Sequence, residues 1–311
     1  MRRKSFLLIM TGLATISGCG KDNPIGSITT IENPVSLKKV TTGVNFLFKF
    51  GSFGTGDGQF NAPTEVDVQG NRLYVTDFLN HRIQVFDNNG NFLFKFGSFG
   101  SSDGQFDSPD GIAVVGNRII VADGNHRIQV FDNNGNFIFK FGSFGSNDGQ
   151  FNGPISVVAT GNRIVVADFF NHRIQVFDND GNFLFKFGTF GFGDGQFNRP
   201  AGVAVQGNNI IATDFRNHRI QVFDKNGNFL FKFGSFGSGN GQLKGPDELA
   251  VQGNNIIVTE FSGHRVSVFD SNGNFLFNFG GFDPDGVAAQ GNKIFVTDLT
   301  NHCVQVFEVV P

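Results

Sequence analysis

Apolar residues in this chain come in short runs with regular turn punctuation. Four such runs follow one another as "PDGIAVV" at 109–115, "NRIIVAD" at 117–123, "HRIQVFD" at 126–132 and "NFIFKFG" at 136–142. They are rich in Ile, Val and Phe and bounded by Asn, Asp and Gly, which tolerate positive φ. The pattern predicts four antiparallel strands joined by hairpins. No stretch of this region spaces apolar residues as a helix would.

The unit recurs. "NHRIQVFD" stands at 80–87, 125–132, 171–178 and 217–224, with altered copies "SGHRVSVFD" at 262–270 and "NHCVQVFE" at 301–308. Successive histidines lie 45, 46, 46, 46 and 38 residues apart, the short last step reflecting eight residues deleted from one loop. Six four-stranded units of this length predict an all-β fold, a six-bladed β-propeller over residues 44–311. The chain ends argue for a closed ring. The last unit stops after its third strand, and its missing fourth strand appears at the opposite end as "NFLFKF", 45–50. That strand is expected to complete the last blade and hide two edges.

"NHRIQVFD", with the upstream "VAD", "G-Q-F-x-x-P" and "G-I-A-V", resembles the NHL repeat. The resemblance implies a six-bladed propeller and not any one activity, because the fold serves many functions. NHL-like propellers include peptidyl-amidating lyases, and other six-bladed propellers include calcium-dependent lactonases.

All six histidines sit at one address: His81, His126, His172, His218, His264 and His302. Strands lie ~4.8 Å apart, so histidines opening each third strand sit too far from the axis to share a metal ion. A framework role is expected. An acid precedes each one: Asp77, Asp123, Asp168, Asp214, Glu260 and Asp298. An acid–imidazole hydrogen bond across the loop is predicted.

The first residues read as an export signal. Arg2, Arg3 and Lys4 precede the apolar run "SFLLIMTGLATI", and "ISGC" follows. This order resembles the lipobox of bacterial lipoproteins, which implies cleavage of residues 1–18, lipidation at Cys19 and a polar tether over 19–43. The expected location is the cell envelope, at the outer membrane or cell surface, since Gly20 and not Asp follows Cys19. Cleavage would leave 21 basic residues against 27 acidic ones. An acidic exported chain is a poor nucleic-acid binder. With Cys19 lipidated, Cys303 has no partner within the chain. A monomer is expected, meeting the membrane through its lipid alone.

Candidate chemistry falls on the face that carries the long loops, where a rigid scaffold places binding residues. After the prolines the copies differ: Thr64-Glu65, Asp110-Gly111, Ile155-Ser156, Ala201-Gly202, Asp247-Glu248 and Asp285-Gly286. Glu65, Asp110, Asp247, Glu248 and Asp285 form a candidate cation site at the channel mouth, with Ser156 beside it, for calcium or for a Lys- or Arg-bearing peptide. Arg199 and Arg216 lie on the same face. Phe78, Leu79, Phe169, Phe170, Phe215 and Phe261 are expected to be exposed there. "DNDGN" at 178–182 resembles the start of a calcium loop but lacks the later glutamate and reads as a hairpin turn. The favoured function is recognition of a protein, peptide or glycan on this face, with no cofactor. The alternative is a lyase or lactonase-like enzyme using a cation at the channel mouth.

Overall fold

The computed structural model describes residues 43–310. The export signal, Cys19 and the tether up to residue 42 lie outside them. Six four-stranded antiparallel sheets form six blades. In blade one the strands run Pro63–Gln69, Arg72–Asp77, Arg82–Asp87 and Phe92–Phe96, from the innermost outward. Blades two to five repeat the order from Pro109, Pro154, Pro200 and Pro246. Blade six supplies Pro284–Gln290, Lys293–Asp298 and Cys303–Val310, and the strand Gly43–Phe50 pairs antiparallel with Cys303–Val310 as its fourth. First strands neighbour one another around the ring, blade six against blade one included. The closing strand is two residues longer than expected, with Gly43 opposite Val310 and Phe50 opposite Val304.

The burial pattern explains the sequence pattern. Second and third strands are covered on both faces by neighbouring blades, so "RIIVAD" and "RIQVFD" read as near-continuous apolar runs. Fourth strands alternate: Leu93 and Lys95 face solvent while Phe94 and Phe96 turn toward the next blade, and Phe92, beyond a register shift, packs on the side of blade six. Phe96 meets Phe131 of blade two at 5.0 Å, and Phe131 meets Phe106 at 5.5 Å. Such aromatic packing recurs between blades and supplies much of the core.

Strand direction fixes two unlike faces. The start of each first strand, the loop from strand two to three, and the end of strand four share one face, the loop face. The other carries tight turns such as "DNNGN", where Asp132 Oδ1 accepts the amides of Asn134 and Asn136. Gly135 in that turn has φ 82°, and an added Cβ would strike the Phe96 ring.

Candidate functional site: the loop face and the channel mouth

The histidines tie neighbouring blades together. Each has φ between 53° and 63°, the left-handed region just before the third strand. That backbone turns the ring toward the next blade. There Nδ1 accepts an amide: Ser108 to His81, Gly153 to His126, Arg199 to His172, Gly245 to His218 and Ala62 to His302, all at 3.0–3.1 Å. His264 instead pairs with Asp283. These partners differ from the acid–imidazole bond expected within the loop.

The acids are engaged elsewhere. Asp77 accepts Arg82 Nε at 2.7 Å, Gln84 Nε2 at 3.0 Å and the Asn61 amide at 2.7 Å. The arginine's other nitrogens donate to the carbonyls of Thr55, Gly56 and Gln59, fastening the long loop before the blade. Asp123, Asp168 and Asp214 bind Arg127, Arg173 and Arg219 alike. Blade five shows a compensated exchange. The longer Glu260 reaches the shorter Ser267 at 2.5 Å, where the other blades pair Asp with Gln. Blade six has lost both the loop and its clamp. The segment before Pro284 is the shortened one, and Cys303 stands where the other blades have Arg. Burial pushes the Cys303 thiol up to about 12, which keeps it unreactive.

Against five of the imidazoles, all but His264, lies a phenylalanine from the long loop. His81 meets Phe99 at 4.8 Å, His126 Phe144 at 5.0 Å, His172 Phe190 at 5.0 Å, His218 Phe236 at 4.8 Å and His302 Phe53 at 4.9 Å. With Phe192, these rings form a crown on the loop face, each 59–69% exposed. The phenylalanines expected to be exposed behave otherwise. Phe78, Phe169 and Phe215 are buried, and Leu79, Phe170 and Phe261 are half-buried. The signal for the crown was the second Phe of each "FGSFG" or "FGTFG", flanked by small residues that cannot cover it.

At the axis the pairs after the prolines sit on a register shift in the first strand of every blade. Such bulges re-aim side chains. The second member of each pair reads Glu65, Gly111, Ser156, Gly202, Glu248, Gly286 around the ring. Blades one, three and five thus send side chains inward, and glycines alternate with them. An added Cβ at Gly202 would lie 2.6 Å from the Asp247 carbonyl oxygen and 2.8 Å from Glu248 Cα. Ser156 Oγ donates to Glu248 Oε1 at 3.0 Å, and Glu65 hydrogen-bonds the same carboxyl. Two carboxyl groups in contact hold a shared proton. Burial pushes Glu248 up to about 8, and the charge of Asp247 adds to this. Glu65, Ser156 and Glu248 thus form a plug at the axis, and they cap a cavity of about 210 Å³ lined by Val66, Ile112, Val157, Val203, Leu249 and Val287 among others.

Asp67 also lines that cavity, a residue the sequence reading passed over. The aligned positions hold Ala113, Val158, Ala204, Ala250 and Ala288, so comparing the copies was enough to single it out. Its carboxylate accepts the amides of Val114 and Val68 at 2.6 and 2.7 Å, while enclosure pushes it up to about 6.

The expected five-acid arc is therefore divided. Glu65 and Glu248 meet in the plug, while Asp110, Asp247 and Asp285 are buried one residue earlier. Among the described residues no group of three or more His, Cys, Asp or Glu is placed to hold a metal ion. Ile155 and Ala201 occupy the equivalent positions in blades three and four and pack with Phe169 and Phe215. Arg199 lies over Phe169 and Phe170 at 5.7 and 5.5 Å, and Arg216 over Phe215 at 5.5 Å.

Six four-stranded blades around a narrow channel define a β-propeller. Its repeat is the NHL repeat, whose family matches residues 60–86, 106–131, 151–177, 197–223 and 283–307, in blades one to four and six. The chain thus carries NHL repeats within a six-bladed β-propeller. No curated protein sequence matches it. Among solved structures it is similar to virginiamycin B lyase from Staphylococcus aureus, with 14% identity over 77% of each chain and a TM-score of 0.55. It is similar to a streptogramin B lyase, with 13% identity over 86% of this chain and 98% of that one and a TM-score of 0.60. A protein of unknown function from Bacteroides thetaiotaomicron gives 13% identity, 86% and 76% coverage, and a TM-score of 0.64. At these identities the likeness speaks for the fold alone.

Proposed function

We propose that the chain is a lipid-anchored binding module of the bacterial cell envelope, recognising its partner on the loop face. The observation that carries this reading is the crown of exposed phenylalanines. Phenylalanine is mostly buried in folded chains, and an exposed apolar surface repeated at one address marks an interaction surface. The crown is also held ready. Each ring but Phe192 rests on a histidine fixed to the next blade, and the loop is clamped by an arginine, so little order is lost on binding. The catalytic alternative has less support, because Glu65 and Glu248 satisfy each other instead of standing open to a cation.

Co-purification from detergent-solubilised envelopes tests the reading. Proteins retained by the wild type should be lost from a Phe99→Ser/Phe144→Ser/Phe190→Ser variant with an unchanged melting temperature. Identical retention by the two would overturn it. Anchoring is tested separately: Cys19→Ala should move the protein from the membrane fraction to a soluble or uncleaved form.

A further inference from the structure

We propose that the notch formed by Arg199, Arg216 and the phenylalanines of blades three to five binds the carboxylates of an acidic peptide. The inference rests on the binding-module reading and names the chemistry of the partner.

The two guanidinium groups share one aromatic platform. Arg199 covers Phe169 and Phe170, Arg216 covers Phe215, and Phe169 meets Phe215 at 6.2 Å. A guanidinium against an aromatic ring gains a cation–π attraction, and its planar fork of N–H donors matches a carboxylate. Arg216 is exposed, and half-buried Lys244 opens the next blade beside it. Half-buried Phe170 and Phe261 give apolar surface next to the cations, and the crown is doubled here by Phe190 and Phe192.

The repeat itself shows that the framework does not need these cations. Where Arg199 stands, other blades have Ala62, Ser108, Gly153, Gly245 and Asp283. Where Arg216 stands, blades one, three, five and six have Leu79, Phe170, Ser262 and Thr300. Arg199 has φ 64°, a conformation that small residues fill elsewhere in the ring. A long side chain kept at a strained position is a mark of function. The cations also act on their surroundings. Burial first and then Arg199 hold the His172 imidazole below its ordinary range, and burial and Arg216 do the same to His218. Positive potential thus collects at this notch. An extended polyanion, whether nucleic acid or anionic bilayer, would meet the net negative charge of the molecule beyond the notch. A short peptide with carboxylates beside apolar side chains fits the notch alone.

The test is fluorescence anisotropy of the full chain with a labelled peptide of alternating glutamate and leucine. Saturable binding that weakens with salt is expected, with none for the glutamine–leucine analogue. Arg199→Gly/Arg216→Met should weaken binding by about tenfold or more, the loss expected for charged hydrogen bonds. Glycine suits the backbone at 199, so the double variant should keep its melting temperature, and Arg216→Lys should retain part of the affinity. Absence of peptide binding, equal binding of the glutamine analogue, equal affinity in the double variant, or preference for phosphatidylglycerol vesicles would each overturn the inference. If the peptide fails while the phenylalanine variant still loses its retained proteins, the binding-module reading survives without this partner.

Discussion

At the channel mouth Glu65 and Glu248 reach across the axis, share a proton and take a hydrogen bond from Ser156. On the same face Arg199 and Arg216 lie on phenylalanine rings, with Arg216 open to solvent. Both sets of residues vary between copies, and both stand near the prolines that open the blades. They differ in what surrounds them. Toward the axis the blades converge, so side chains meet one another and neutralise one another. Away from it they diverge, and Arg216 is left exposed beside its aromatic support. Variation between repeats thus marks two different things: closure of the ring at its centre and, under the proposed function, recognition farther out.

The comparison presumes a closed ring, and deleting residues 1–50 breaks it most severely. The third strand of blade six becomes an edge, and Val44, Phe48 and Phe50 leave the core. A loss of about 3–6 kcal/mol is expected, together with oligomers in size-exclusion chromatography. A truncated protein that melts like the full chain would contradict closure.

Gly202→Ala attacks the centre alone. Its Cβ has backbone on one side and Glu248 on the other, so denaturant unfolding should report a loss of about 1–3 kcal/mol. Peptide binding at the notch should persist.

The shared proton makes the centre pH-sensitive. Glu248 is raised from 4.5 to about 8 in the folded chain, so the folded state holds the proton more tightly than the unfolded state. Its contribution is complete below the ordinary glutamate value and is lost as pH rises through about 8. Melting temperature should therefore fall between about pH 6 and pH 9 in the wild type, and less steeply in Glu248→Gln. Asp67 completes its own loss nearer 6 and is common to both proteins. Parallel curves would mean that the carboxyl pair is not held by a proton.

The smallest effect is expected at the crown. Phe99→Ser removes an exposed ring and should change stability by no more than about 0.5 kcal/mol. A larger loss would mean that the crown serves the fold, and the contrast between centre and periphery would weaken.

Most of the fold was legible because a strand with two covered faces and a strand with one write different patterns, and six copies of both were present. The displaced "NFLFKF" disclosed the closure. The site was less legible. The order Glu, Gly, Ser, Gly, Glu, Gly was visible in sequence, but that alternate blades meet across the axis depends on a channel too narrow for six side chains. The histidine partners were missed for a different reason. The amide bound by His81 belongs to Ser108, 27 residues onward in the next copy. The repeat as written in sequence hides bonds that cross its own boundary.

Gly43 and Val310 lie side by side on the tight-turn face, opposite the crown. A load applied at Gly43 against a partner gripping the loop face would run along the closing strand and not across it. The paired positions from Gly43↔Val310 to Phe50↔Val304 would then carry the force together, in shear, instead of opening one after another as a peeled edge does. The strand that closes the ring is thereby oriented to bear load along its own length, in shear across its paired positions.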